Sequence, residues 1–189
     1  LKAREGEAAA PSLKEGAIEL GALSPLAEEG VEIDLALEAY LPEGYLADAK
    51  QRIEAYRKLA ASHGEDELSD AEAELRDRFG PLPAPARTLV RWNRLRLACE
   101  RLSIARVAVE GKVGVLKVSG DGRALRRQLA YARARALFPE AGLCYVVIAE
   151  EPGIAPEQAL SKLLDALSVE GEGPRGSRAR ASKEEARRG

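Results

Sequence analysis

Three kinds of residue in this chain can do chemistry: one histidine, His63, two cysteines, Cys99 and Cys144, and a dense population of carboxylates and guanidiniums. A zinc or redox centre needs its ligands closely spaced, and a lone histidine with two cysteines far apart does not supply that set. Nucleophilic catalysis needs a Ser or Cys beside a base, yet GLCYV and GALSP lack the neighbours of a nucleophile elbow. The glycines of EGKVG and SGDG are not followed by the lysine and serine of a phosphate-binding loop, so they read as turns. His63, next to Gly64, reads as a cation at the carbonyl end of a helix, and the cysteines read as buried, reduced thiols. The expectation is a chain without catalytic, cofactor or metal residues of its own.

Charge is what remains, and it is segregated. From Ala27 to Pro83 there are 15 acidic and 6 basic residues; from Ala84 to Pro139, 3 acidic and 13 basic. Within the first block Asp70, Glu74 and Asp77 are spaced four and three apart, which puts them on one face of a helix. That face is either simply solvated or a docking surface for a basic partner, followed by Arg78 and Phe79 at the helix end. Within the second block Arg87, Arg91, Arg94 and Arg101 share a face, joined further on by Arg123, Arg126, Arg127, Arg133 and Arg135. Clustered arginines can bind nucleic-acid phosphate, but few aromatics interleave with them, and pairing with the acidic segments is the competing use.

The elements that position these groups follow from periodicity. VEIDLALEAY alternates apolar and polar residues, the pattern of a half-buried strand ended by Pro42 and Gly44. Asp48 can cap a helix to about Ser62 with Ala49, Ile53, Tyr56, Leu59 and Ala60 as its apolar stripe. A second helix runs from about Asp66 to Phe79, where Gly80 and Pro81 stop it. A third, about Pro85 to Ser103, carries two apolar stripes and should be central. ARVAVE and VGVLKVS form a hairpin, Asp121 opens a fourth helix of about Gly122 to Leu137, residues 143 to 150 form a buried strand, and Pro156 opens a last helix to about Ser168. This is an α/β chain of the α+β type: a small mixed sheet of about four strands packed with about five helices. No apolar run approaches the roughly 20 residues that span a membrane.

The run EAYLPEGYLADAKQRIEAYRKLA, followed by ELRDRFGPLPAPARTLVRWNRLRLACERLSI, resembles the C-terminal regulatory domain of the bacterial transcription-repair coupling factor family (Mfd). The most specific matches are Tyr40 to Pro42, Arg52-Ile53 with Tyr56 and Leu59-Ala60, Asp77-Arg78-Phe79-Gly80 with Leu82-Pro83, and Arg94-Leu95-Arg96; Ala47 departs from the proline expected there. The resemblance implies a parent that is an ATP-driven translocase on double-stranded DNA, which removes stalled RNA polymerase and recruits the repair protein UvrA. ATP and Mg would belong to the parent's motor, not to this piece. It further implies that this domain packs on a UvrB-like N-terminal module, masks UvrA binding and restrains the motor, in the bacterial cytoplasm. Asp70, Glu74, Asp77, Arg78 and Phe79 are the residues expected at that interface. Under the alternative reading, a DNA-binding accessory module, Arg87, Arg91, Arg94 and Arg101 form the contact face. With no methionine and Leu1 at its start, the chain is expected to be a fragment: 1 to 28 a linker and exit from a translocase domain, 29 to 170 the domain, 171 to 189 a disordered basic tail.

Overall fold

A computed structural model of the chain describes residues 30–168. The expected linker and basic tail lie outside the described residues. Within the described residues, five helices and five strands follow one another in the order β1(Glu32–Asp34), α1(Ala49–Ala60), α2(Glu65–Phe79), α3(Ala84–Arg101), β2(Ile104–Glu110), β3(Val113–Val118), α4(Arg123–Tyr131), β4(Ala136–Glu140), β5(Leu143–Val147), α5(Pro156–Leu167). The sheet order is β1-β2-β3-β5-β4, with β1 parallel to β2 and the other pairs antiparallel. It is the mixed sheet of an α+β fold, one strand larger than expected.

Two apolar clusters hold the chain together. One joins the sheet to α4, α5 and the C-terminal half of α3, around Leu95, Cys99, Val107, Leu116 and Leu163. The other joins α1, α2 and the N-terminal half of α3, around Leu59, Leu68, Leu89 and Val90. Helix α3 is thus contacted on two sides, as its two stripes require, and it is the mechanical link between the halves.

Three local departures from the sequence expectation have physical causes. The alternation from Val31 to Ala39 is real, but only three residues join the ladder. Leu37 N–H turns back to the Leu35 carbonyl at 2.8 Å, a γ-turn that lifts the chain off the sheet and carries it toward the helical cluster, with Leu37 packing against both cores. In α1, Tyr56 turns inward so that its oxygen accepts the Leu41 N–H at 2.8 Å, and the stripe rotates to Ala55, Tyr56 and Leu59. Ile53 is left 50% exposed.

The third departure is the fourth helix, which ends at Tyr131 rather than near Leu137. Ala134 N–H reaches the Leu129 carbonyl at 2.9 Å and Arg133 N–H the Ala130 carbonyl at 3.2 Å, the bond pair of a Schellman turn. That turn needs a left-handed residue, usually glycine, and here Arg133 supplies it at φ 52°. A left-handed residue other than glycine costs roughly 1–2 kcal/mol. The turn frees Ala136–Glu140 to form β4 at the sheet edge, where Pro139 does not interrupt a central ladder.

Candidate functional site

The C-terminal end of α2 is a corner fixed from several directions. Gly80 takes a positive φ of 85° and its N–H closes the helix on the Arg76 carbonyl. Pro83 stands at the N-cap of α3, so little more than a bend separates the two helices. The Tyr45 hydroxyl lies 2.9 Å from the Leu75 carbonyl and 3.0 Å from the Gly80 carbonyl, donating its one proton to the pair. Its ring meets Phe79 edge-on with centroids 6.1 Å apart. The Arg78 guanidinium carbon lies over the Phe79 ring, 5.0 Å from its centre. Tyr45 was not legible as part of this corner, because it stands 30 or more residues before its partners and carries no periodic signal.

Of the acidic face, the structure separates one member from two. Glu74 is bound inside the molecule: Lys58 of α1 and Arg78, the latter at 2.9 Å, both donate to it. The Lys58 hydrogen bond, seconded by Arg78, holds the Glu74 carboxyl below the usual carboxylate range. This tie between α1 and α2 is therefore complete at neutral pH and is lost only as the pH falls through that lowered value. Asp70 and Asp77 are exposed, and among the described residues neither forms a side-chain ion pair. Beside them a groove of about 170 Å³ runs between α1 and α2, with Ala55, Leu59, Ala71, Leu75 and Phe79 on its apolar floor and Lys58, Glu74 and Arg78 on its rim. Glu74, Arg78 and Phe79 thus share one groove, and Asp70 and Asp77 stand outside it.

The opposite flank of α2 carries a charge cluster that spacing alone did not reveal. Arg94 of α3 binds Glu65 at 2.6 Å and Glu72 at 2.9 Å, locking α2 onto α3. Burial pulls the Arg94 guanidinium down, but the two carboxylates more than offset it and the net shift is upward. The other arginines of that row also have internal partners. Arg87 donates to the Leu82 carbonyl at 2.8 Å, Arg91 to the Ser161 hydroxyl of α5, and Arg101 to the Leu167 carbonyl at 2.8 Å. Arg96 reaches the Ser62 carbonyl at 2.8 Å and Glu100 at 2.6 Å. Each of these arginines ties α3 to a neighbouring segment or to its own next turn.

Reactive groups are few and guarded. Among the described residues no three His, Cys, Asp or Glu side chains gather as a metal set. His63 is exposed, and its backbone N–H is held by Glu67 at 2.9 Å. Both cysteines are free and buried, and burial pushes the Cys99 thiol up to about 12 and the Cys144 thiol up to about 11. Folded chain at pH 8 is therefore expected to react with a thiol reagent far more slowly than chain in denaturant, as measured by the time course of thiol release. The sign for stability follows: the unfolded thiols ionise near 9 while the folded ones stay protonated, so these two groups weaken folding as the pH rises above 9.

The fold and the sequence place the chain in a definite class. A solved structure described as the C-terminal domain of transcription-repair coupling factor superposes with a TM-score of 0.61, covering 73% of this chain and 89% of that one at 20% identity. That likeness establishes the shared α+β fold. The family model of the TRCF domain matches residues 35–129, half of the 189 residues. The chain belongs to the TRCF domain family. Transcription-repair-coupling factors of Haemophilus influenzae and Escherichia coli are 34% identical over 117 residues and 36% identical over 95, covering 62% and 50% of this chain. That of Mycobacterium tuberculosis is 46% identical over 77 residues, or 41% of this chain. The match spans about a tenth or less of the length of these relatives, 10%, 8% and 6% respectively. Within the described residues no helix is long and apolar enough to cross a membrane.

Proposed function

We propose that this chain is the regulatory, non-catalytic domain of a transcription-repair coupling factor, and that it acts as a reversible clasp. In this reading it packs on the UvrB-like N-terminal module of the same polypeptide and masks the surface that binds UvrA. It thereby restrains the ATP-dependent translocase that removes stalled RNA polymerase from DNA lesions in the bacterial cytoplasm. ATP and Mg act in the motor, outside this chain.

The observation that carries the reading is the division of labour on α2. Glu65, Glu72 and Glu74 are consumed in fixing the helix, while Asp70 and Asp77 are held at a set angle with no cation paired to them among the described residues. An exposed ion pair contributes only about 0–1 kcal/mol, so two aspartates need the neighbouring apolar groove to make a useful contact. A contact of that size suits a switch, because coupling energies of about 1–3 kcal/mol already move occupancy by roughly 5- to 150-fold.

The test is competition. The separate N-terminal module should bind this chain, and UvrA should displace it; formation of a stable ternary complex would contradict masking. Because the α3 arginines named for the DNA-binding alternative are all bonded internally, nothing in their geometry favours that alternative.

A further inference from the structure

The α3 arginines Arg87, Arg91, Arg94 and Arg101 have internal partners, whereas on α4 Arg123 alone meets a carboxylate among the described residues. Helix α4 buries Leu125, Gln128 and Leu129, which turns Arg123, Arg126 and Arg127 outward onto one arc. Arg123 is 85% exposed and, among the described residues, pairs with Asp121 at 3.0 Å. Arg126 lies over the Phe138 ring at 3.7 Å, a contact that orients the guanidinium without neutralising it. Among the described residues Arg127 and Arg133 form no ion pair, and Arg135, the next along, is held by Glu150 at 2.9 Å. Arg126, Arg127 and Arg133, with no ion pair among the described residues, therefore lie on or just beyond α4, a helix of the sheet cluster and not of the cluster that holds α2.

Arg133 adds an independent sign. It occupies the left-handed position of the Schellman turn, where glycine would be the unstrained residue. Backbone strain of this kind concentrates where a side chain is used.

We infer that the outer face of α4, with the turn at Arg133, is a docking surface for the phosphate backbone of duplex nucleic acid, through Arg126, Arg127 and Arg133. Arg126, Arg127 and Arg133 are exposed and carry charge complementary to phosphate, with Arg123 beside them paired to Asp121. The groove between α1 and α2 and the cavity beside the loop before α5 are lined by other residues, so the α4 arginines line neither pocket. Phosphate contacts need none: they are made by exposed guanidiniums and carry no sequence preference. This inference stands apart from the clasp, which uses another helix of the other core.

The test uses the full chain, whose C-terminal residues are themselves basic and contribute equally to parent and variant. Anisotropy titrations of a labelled duplex at several salt concentrations give the slope of log affinity against log salt. Each phosphate contact contributes about 0.9 to that slope, so Arg126→Gln with Arg127→Gln and Arg133→Gln should flatten it by roughly 2.7. Arg133→Gly alone should raise the melting temperature, by relieving the strained turn, and still flatten the slope by about 0.9. A loss of affinity in this variant cannot be laid to misfolding. An unchanged slope in the triple variant overturns the inference. So does polyglutamate of equal charge binding the parent chain as tightly as the duplex and losing as much in the variant, which would assign the face to an acidic protein.

Discussion

Replacing Leu95 or Leu89 with alanine should each lower the stability of the whole domain by about 2–5 kcal/mol, the range for a buried leucine truncated in a packed core. Leu95 belongs to the sheet cluster and Leu89 to the helical one, and both are almost fully buried on the same helix. If α3 couples the two clusters, one cooperative transition persists in each variant, shifted to lower denaturant with little change in steepness. Urea melts followed both by circular dichroism and by the fluorescence of Trp92, which lies on α3 itself, report this directly. Separate transitions for the two variants would show that the helical half unfolds independently. The clasp depends on the cooperative outcome, because an α2 that loosens alone cannot present Asp70 and Asp77 at a fixed angle.

Charge reversal on α2 carries the second large effect. In the full-length parent, Glu74→Lys with Asp77→Lys should raise basal ATPase and open UvrA binding. The expected change in UvrA occupancy lies within the 5- to 150-fold that about 1–3 kcal/mol of coupling commands. The two substitutions act differently. Asp77→Lys changes only an exposed charge, whereas Glu74→Lys places an ammonium against Lys58 and Arg78 and breaks the tie between α1 and α2. Asp70→Lys with Asp77→Lys is therefore the cleaner pair: it reverses the outward face and leaves the internal ion pairs in place. Basal ATPase and UvrA affinity that stay at the parent's values in both double variants would remove these residues from the clasp.

The sequence carried the helices well, because their signals are local. Asp48 accepts from the N–H groups of Lys50 and Gln51 at 2.8 and 2.9 Å, as a cap must, and Gly80 with Pro81 ends α2 where the run ELRDRFGP stops. The hairpin was equally plain, with Gly111 at a positive φ in a two-residue turn between Glu110 and Val113. Strand β4 was hidden because ARARAL is written in good helix formers, and only the burial of alternate residues on the sheet edge reveals its period of two.

In the site, spacing located the acidic face but could not say which carboxylate would be spent internally. That depends on Lys58, 16 residues before Glu74, and for Glu65 and Glu72 on Arg94, 29 and 22 residues beyond them. Charge totals had the same blind spot. The basic block from Ala84 to Pro139 holds arginines that brace α3, Arg123 paired to its neighbour Asp121, and Arg126 and Arg127 of α4 with no carboxylate partner among the described residues, and contacts in the fold decide which is which.

The most direct measurement is the affinity of this chain for the separate N-terminal module, taken for the parent chain and for Asp70→Lys with Asp77→Lys at two salt concentrations. The account predicts binding that weakens with salt in the parent chain, weakens at least 5-fold on charge reversal, and then loses most of its salt dependence. Equal affinity and equal salt dependence for the two chains would contradict the claim that α2 presents its aspartates to a partner.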